Sequence, residues 1–273
     1  MQRAASEGFR GAERYERSRP EYPPEAVAWL ASALRLGPEA PAASAAVVEL
    51  GAGTGKFTRR IAGPGATGLR AGLTVVAVEP VAEMRRELAA GVPQARVVGG
   101  LAEAIPLRTG GAWAVVCAQS FHWFASAGAL GEIHRVLVPG GRLGLLWNQR
   151  DESAPWVRAL GEILEPLEGS APRFRTGRWR EAFHAGEGPG PDAPRPGGFG
   201  PLAEARFATE QVGPPEAIVE RIASISFVAA LPEARRAGVL EEVRRLLARH
   251  PATAGLARIL LPYVTRAFWC ERR

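Results

Sequence analysis

The sequence predicts an α/β fold with a doubly wound, mostly parallel sheet, and three observations carry that prediction. Short valine-rich apolar runs alternate with helix-period segments through residues 45–147. Those runs are apolar at consecutive positions, as strands buried on both faces are, and glycines or Pro-Gly pairs mark the junctions. Ligands of such sheets bind beyond the carboxyl ends of the strands.

In chain order, residues 25–36 repeat apolar positions at helical spacing and Gly37-Pro38 ends that helix. Residues 45–50 form a buried strand that stops at glycines, followed by a helix over 56–62 and a Gly/Pro-rich loop to Gly72. A second strand spans 73–79, a helix 81–90, a short strand 95–98 and a fourth strand 112–118. After a helical stretch at 126–137, Pro139-Gly140-Gly141 turns the chain into a fifth strand, 142–147. Beyond this the pattern is less regular: a Gly/Pro-rich mobile loop at 184–201, a strand at 203–210, amphipathic helices at 214–228 and 232–249, and a last strand around 258–269.

The 273 residues are 47% hydrophobic, enough for a sizeable core, yet no apolar run approaches the roughly 20 residues that span a bilayer. The N-terminal stretch mixes acidic with basic residues and has no apolar core of a signal peptide, so a cytoplasmic location is expected. Two cysteines, Cys117 and Cys270, are too few for a disulfide framework or a zinc site. The net charge of +6 comes from arginines scattered among glutamates, as in Glu241-Glu242-Val243-Arg244-Arg245, a pattern of solvated helix faces. Expected partners are therefore a small molecule, with no nucleic acid and no membrane, on a monomer or homodimer.

The segment Val47-Val48-Glu49-Leu50-Gly51-Ala52-Gly53-Thr54-Gly55 sets three glycines between a buried strand and a helix. Residues lacking a Cβ let the backbone turn sharply and approach a ligand with its N–H groups exposed. The second strand ends at Glu79, 24 residues after the third glycine, where a carboxylate can accept hydrogen bonds from both ribose hydroxyls of an adenosine. A dinucleotide fingerprint wants glycine at position 56, which is Lys56; a phosphate-binding P-loop wants glycine at 50 and Ser or Thr at 57, which are Leu50 and Phe57. The remaining reading is S-adenosylmethionine (SAM), a cation without phosphate. Glu49 then favours its ammonium and sulfonium charges, or alternatively caps nearby backbone N–H groups.

Four stretches (VVELGAGTG, VVAVEP, GLAEAIPL and EIHRVLVPGGRLGLLWN) resemble the class I SAM-dependent methyltransferases of the type-11 group. YERSRPEYP, SFHWF and LWNQRD look like a subgroup that includes trans-aconitate methyltransferase-like proteins. The resemblance implies a Rossmann-like seven-stranded sheet with an antiparallel last strand and a helical lid. It divides one domain into cap helices at 1–44, a SAM-binding core at 45–150, substrate-side insertions and lid at 151–257, and a final strand at 258–273. It implies SAM as cofactor and S-adenosylhomocysteine as product. By resemblance Gly51, Ala52 and Gly53 line the methionine part, Glu79 and Pro80 the ribose, and Leu101, Ala102 and Glu103 the adenine. Gln119 and Ser120 face the methionine end, while Tyr15 and Arg19 close over the cofactor. Relatives often carry Asp where this chain has Leu101, and an acidic residue where Trp113 stands. These departures keep open a second reading, a SAM-binding or regulatory protein without transfer activity.

Methyl transfer from a sulfonium is an in-line displacement that mainly requires alignment and exclusion of water. A base is needed only if the acceptor carries a proton to lose. His122 is placed to be that base or, between two aromatics, to pack as a structural residue. Trp123, Trp147 and Asn148 are candidates for the acceptor pocket, and Arg150 and Arg178 for clamps on an anionic acceptor. Ser224 and Ser226 either meet the acceptor or bond back to their own helix.

Overall fold

The computed structural model describes residues 19–37, 46–63, 73–169, 172–184 and 198–273. Tyr15, the loop at 64–72 and most of the loop expected at 184–201 lie outside them. Helix α1 (Pro24–Ala33) precedes β1 (Ala46–Leu50), α2 (Thr58–Ala62), β2 (Val75–Val78), α3 (Ala82–Gly91), β3 (Arg96–Val98) and β4 (Ala112–Ala118). After a 3-10 turn at Phe121–Trp123 come α4 (Ala127–Val136), β5 (Leu137–Arg150), α5 (Pro155–Leu164), β6 (Ala203–Gly213), α6 (Pro215–Ala223), α7 (Ser226–Ala229), α8 (Glu233–Arg249) and β7 (Ile259–Glu271).

The strands form one seven-stranded sheet in the order β3-β2-β1-β4-β5-β7-β6. Pairs from β3 to β5 are parallel, and β7 runs antiparallel to both β5 and β6. The strand order reverses between β1 and β4, which opens a crevice at their carboxyl ends. Side chains alternate across the sheet. Val48, Leu50, Val115, Cys117, Leu143 and Leu145 pack on the α4 side, whereas Val47, Ala114, Val116 and Leu146 pack on the α1 and α2 side. A second core, including Trp156, Leu160, Ile218, Ile222, Val243 and Tyr263, joins α5, α6 and α8 at the carboxyl end of β5.

Three sequence expectations need correction, and one helix is added to them. Helix α1 stops at Ala33, not Leu36, because Arg35 adopts φ 53° and the Leu36 N–H bonds back to the Ala31 carbonyl. This is the bonding of a glycine-type helix stop, made here by an arginine at a cost of roughly 1–2 kcal/mol. Pro139-Gly140-Gly141 lies inside a longer β5: the register against β4 slips between Leu137 and Arg142, so the predicted turn is an irregularity within the strand. The helix expected at 214–228 breaks at Ser224-Ile225, where the Ser224 side chain takes the Arg221 carbonyl. The added helix is α5, marked in the sequence by proline at its start and by Trp156, Val157, Leu160 and Leu164 at helical spacing.

Candidate functional site

The glycines after β1 serve three separate needs. All are in the left-handed region, with φ of 66° at Gly51, 58° at Gly53 and 86° at Gly55. A Cβ on Gly51 would stand 2.7 Å from the Ser120 Cβ, and one on Gly55 would stand 2.9 Å from Leu88 Cγ on α3. A Cβ on Gly53 would meet only the Met84 sulfur at 4.0 Å. Gly51 and Gly55 thus permit close packing, while Gly53 keeps one wall of the crevice open.

Glu79, just past β2, holds this turn in place. Its Oε2 accepts from the Gly53 N–H at 2.9 Å and its Oε1 from the Val81 N–H at 2.9 Å. Burial raises its pKa, against the opposing pull of those two N–H groups and of Arg85. Each oxygen retains a lone pair for a further donor. Glu49 is more extreme. It is 1% exposed, and burial pushes its carboxyl up to about 8, despite a 2.6 Å hydrogen bond from the Thr58 hydroxyl, with the nearby charge of Glu79 adding to the rise. Two buried acids at one turn disfavour a pyrophosphate and suit a cation beside a sugar diol.

At the end of β4, Gln119 takes φ 59°, a strained conformation for a residue with a side chain. Its backbone N–H reaches the Leu146 carbonyl at 2.8 Å and its side-chain amide donates to the Asn148 carbonyl at 3.0 Å. The Ser120 hydroxyl donates to the Leu50 carbonyl at 2.6 Å, tying the ends of β4 and β1 together. In the following turn, His122 Nδ1 accepts the indole N–H of Trp147 at 3.1 Å. Because an indole can only donate, His122 carries its proton on Nε2. Burial, with Arg173 and Arg19 nearby, holds its pKa down at about 3. His122 is therefore a neutral ring whose Nδ1 is engaged, the packed arrangement that the sequence offers beside the base role.

Residues 19–22 strap the crevice from the α1 side. Lys56 Nζ donates to the Arg19 carbonyl at 3.1 Å and to Glu21 at 2.7 Å, and Arg60 holds the other Glu21 oxygen at 2.9 Å. The Asn148 amide donates to the Pro20 and Glu21 carbonyls at 3.4 and 3.1 Å, while its oxygen accepts from Thr265 at 2.6 Å. The Asn148 amide nitrogen is thus committed to the strap and its oxygen to β7, so the residue that the sequence offers for the acceptor pocket fastens the strap to the sheet.

These parts enclose a cleft of about 720 Å³, a volume suited to a ligand of nucleoside size with a second small molecule. Among the sequence candidates, Arg19, Glu49, Gly51, Ala52, Gly53, Glu79, Pro80, Leu101, Ala102, Glu103, Gln119, Ser120, His122, Trp123, Asn148 and Arg178 line it. Trp147, Arg150, Ser224 and Ser226 do not. Trp147 is buried among Phe174, Trp179 and Phe268 and meets the cleft lining through His122 and Trp179. Arg150 lies behind the wall, and Ser224 bonds back to Arg221. Arg178 is exposed, 3.8 Å from Glu181. Tyr15 falls outside the described residues. Trp113 sits at the opposite end of β4, where its indole donates to the Leu34 carbonyl at 2.9 Å, so that departure leaves the cleft untouched. Sequence reasoning missed Tyr22 and Phe57, which meet edge to face at 5.5 Å, and Arg173, which lies over Trp123 and Phe227. Among the described residues no cluster of His, Cys, Asp or Glu is arranged to hold a metal, and no helix is long and apolar enough to cross a membrane.

Comparison with known proteins identifies the family and the fold. Residues 48–145 match a family model described as a methyltransferase domain. An uncharacterized methyltransferase of Mycobacterium tuberculosis is 41% identical over 92% of this chain and 89% of its own length. An uncharacterized methyltransferase-like protein of Schizosaccharomyces pombe is 35% identical over 94% of this chain and 92% of its own. A solved structure from Anaeromyxobacter dehalogenans, assigned as a type II methyltransferase, shares the fold with a TM-score of 0.62 at 23% identity, covering 93% of this chain and 97% of that one.

Proposed function

This chain belongs to the SAM-dependent methyltransferases, and from that premise we propose that it methylates an already ionised oxygen, such as a carboxylate, of a small-molecule acceptor. The observation that carries the choice of acceptor is His122, whose Nδ1 is held by Trp147 and whose remaining nitrogen bears a proton. A side chain so arranged donates a hydrogen bond and does not remove a proton. An oxygen that is already charged would need no base, because no proton would have to leave it as it took the methyl group that a bound cofactor would supply.

The bound cofactor supplies an electrophilic methyl on a cationic sulfur. Glu79 accepts from the ribose, with Pro80 beside it. Gly51, Ala52 and Gly53 turn backbone toward the methionine portion, and Glu49 faces its positive charge. Leu101, Ala102 and Glu103 flank the adenine. Gln119 and Ser120 fix the end of β4, and Arg19, in the strap held by Lys56 and Asn148, closes the methionine end. Closure excludes water from a reaction whose main requirement is alignment. The alternative of a transfer-inactive binding protein draws on Leu101 and Trp113, and Trp113 stands at the amino end of β4, away from the cleft, which supports the transfer reading.

The test is incubation of the purified chain with labelled SAM and fractionated small-molecule extracts. A methyl ester that hydrolyses in mild base is expected, with kcat unchanged between about pH 6 and 8. A base-stable N-methyl or C-methyl product would refute the oxygen-acceptor reading.

A further inference from the structure

Three arginines, Arg173 on the cleft and Arg150 and Arg221 outside its lining, keep buried nitrogens without a hydrogen-bond partner. Arg173 lines the cleft, its guanidinium 4.6 Å above the Phe227 ring of α7, and its Nε and Nη2 are buried with no hydrogen-bond partner. Arg221 on α6 is only 7% exposed. Its Nε is likewise buried without a partner, and its Nη1 reaches Ser224 Oγ at no better than 3.5 Å. Arg150, at the end of β5, has a third such Nε and lies close enough to Arg221 for the two charges to oppose each other. Tyr263, Glu152 and Glu168, in that order, act on Arg150 from a distance without a hydrogen bond to its Nε, and Glu168, the one acid acting on Arg173, is already held by Arg175 through hydrogen bonds of 2.6 and 3.0 Å.

Burying a cation without a counter-ion costs several kcal/mol, and a site with a structural purpose would pair its charges. A guanidinium presents a planar fork of donors matched to carboxylate or phosphate oxygens. Two cations behind a cleft wall raise the positive potential where a third emerges through it. We propose that this cluster recognises an anionic group of the acceptor, a carboxylate or phosphate other than the oxygen that is methylated. Arg173 makes the contact, and Arg150 and Arg221 sustain the positive potential one layer behind. The inference rests on the methyl-transfer reading and specifies its acceptor end: the substrate carries an anchoring anion as well as a reactive oxygen. Arg150, expected from sequence to clamp the acceptor directly, acts here from behind, and the clamp is Arg173.

The test uses the full chain saturated with S-adenosylhomocysteine, titrated by calorimetry with succinate, citrate and inorganic phosphate against sodium chloride of matched ionic strength. Saturable binding of at least one of the three is expected. Preference for succinate or citrate assigns a polycarboxylate, and preference for phosphate assigns a phosphorylated acceptor. Arg173→Met should weaken that binding tenfold or more, with Arg173→Lys intermediate because it keeps the charge and loses the fork. Arg221→Met should weaken it less and raise Tm, since it removes an uncompensated buried charge; a structural arginine would lower Tm on the same change. Binding no stronger than to chloride, an unaffected Arg173→Met, or a lower Tm in Arg221→Met would overturn the proposal while S-adenosylhomocysteine still binds. Failure of S-adenosylhomocysteine itself to bind would overturn the functional reading and this inference with it.

Discussion

At the glycine-turn end of the cleft, Glu79 holds two backbone N–H groups, Glu49 holds the Thr58 hydroxyl and Ser120 holds the Leu50 carbonyl. At the other end, Arg150, Arg173 and Arg221 each keep a buried nitrogen with no partner. The first end is assembled by the protein for itself, so its shape precedes any ligand and its charges are few and acidic. The second end stores electrostatic energy that an anion can release. One wall fixes geometry and the other selects by charge, a division that suits a reaction limited by alignment.

The contrast breaks most sharply at Gly51. Gly51→Ala places a Cβ 2.7 Å from the Ser120 Cβ in a left-handed conformation. The conformation alone costs about 1–2 kcal/mol, and the clash must move the β4 turn. A hundredfold loss of SAM affinity or a fall in stability of about 3 kcal/mol is expected, read by calorimetry and chemical denaturation. Wild-type values for both would show that the turn is not the preformed wall described here.

Glu79→Ala comes next. Hydrogen bonds to a charged acceptor contribute about 1.5–3 kcal/mol, so SAM affinity should fall roughly 10- to 100-fold. The same change frees the Gly53 and Val81 N–H groups, and Glu79→Gln, which keeps one acceptor, should lose less. Unchanged affinity in Glu79→Ala removes the ribose assignment.

A smaller effect tests whether His122 belongs to the structural or the reactive side. As a hydrogen-bond donor, its replacement by asparagine should lower kcat about fivefold, the value of one net hydrogen bond near 1 kcal/mol. A general base would cost 10²- to 10⁴-fold. A loss in that range, restored by raising the pH, would reinstate the base.

The smallest expected effect is a proton. Glu49, at about 8 in the folded chain against an ordinary 4.5, keeps a proton that the unfolded chain gives up, so its contribution makes stability fall as pH rises from about 4.5 to 8. His122, at about 3 against 6.5, acts in the opposite direction, and its contribution falls as pH drops from 6.5 to 3. Binding of a cation beside Glu49 should expel its proton, and SAM affinity should rise less than tenfold between about pH 7 and 8. Calorimetry in two buffers of different ionisation enthalpy measures the release, and a value of zero would place the cation elsewhere.

The two ends also differ in how much of them the sequence discloses. Strands β1, β2 and β4, the glycine turn and Glu79 follow from local spacing, because valine runs, left-handed glycines and a strand-end carboxylate each leave a pattern within ten residues or so. The acceptor end leaves none. Trp147 fixes the tautomer of His122 from 25 positions away, and Arg19 reaches the Ser224 carbonyl across 205. Arg173 stands in a run of 3-10 turns whose aromatic residues, Phe174, Trp179 and Phe183, have no strand or helix period to reveal that they face the cleft wall. An arginine read singly is a surface residue; only the fold shows that these three have buried nitrogens left without a partner.

The central claim is that the glycine turn after β1 and the carboxylate after β2 grip an adenosine bearing a sulfonium. A crystal structure with saturating S-adenosylhomocysteine tests it most directly. The account predicts both ribose hydroxyls within about 3 Å of the Glu79 carboxylate oxygens and the homocysteine portion against Gly51 and Gly53. A cleft without the ligand, or with its ribose turned away from Glu79, would contradict it.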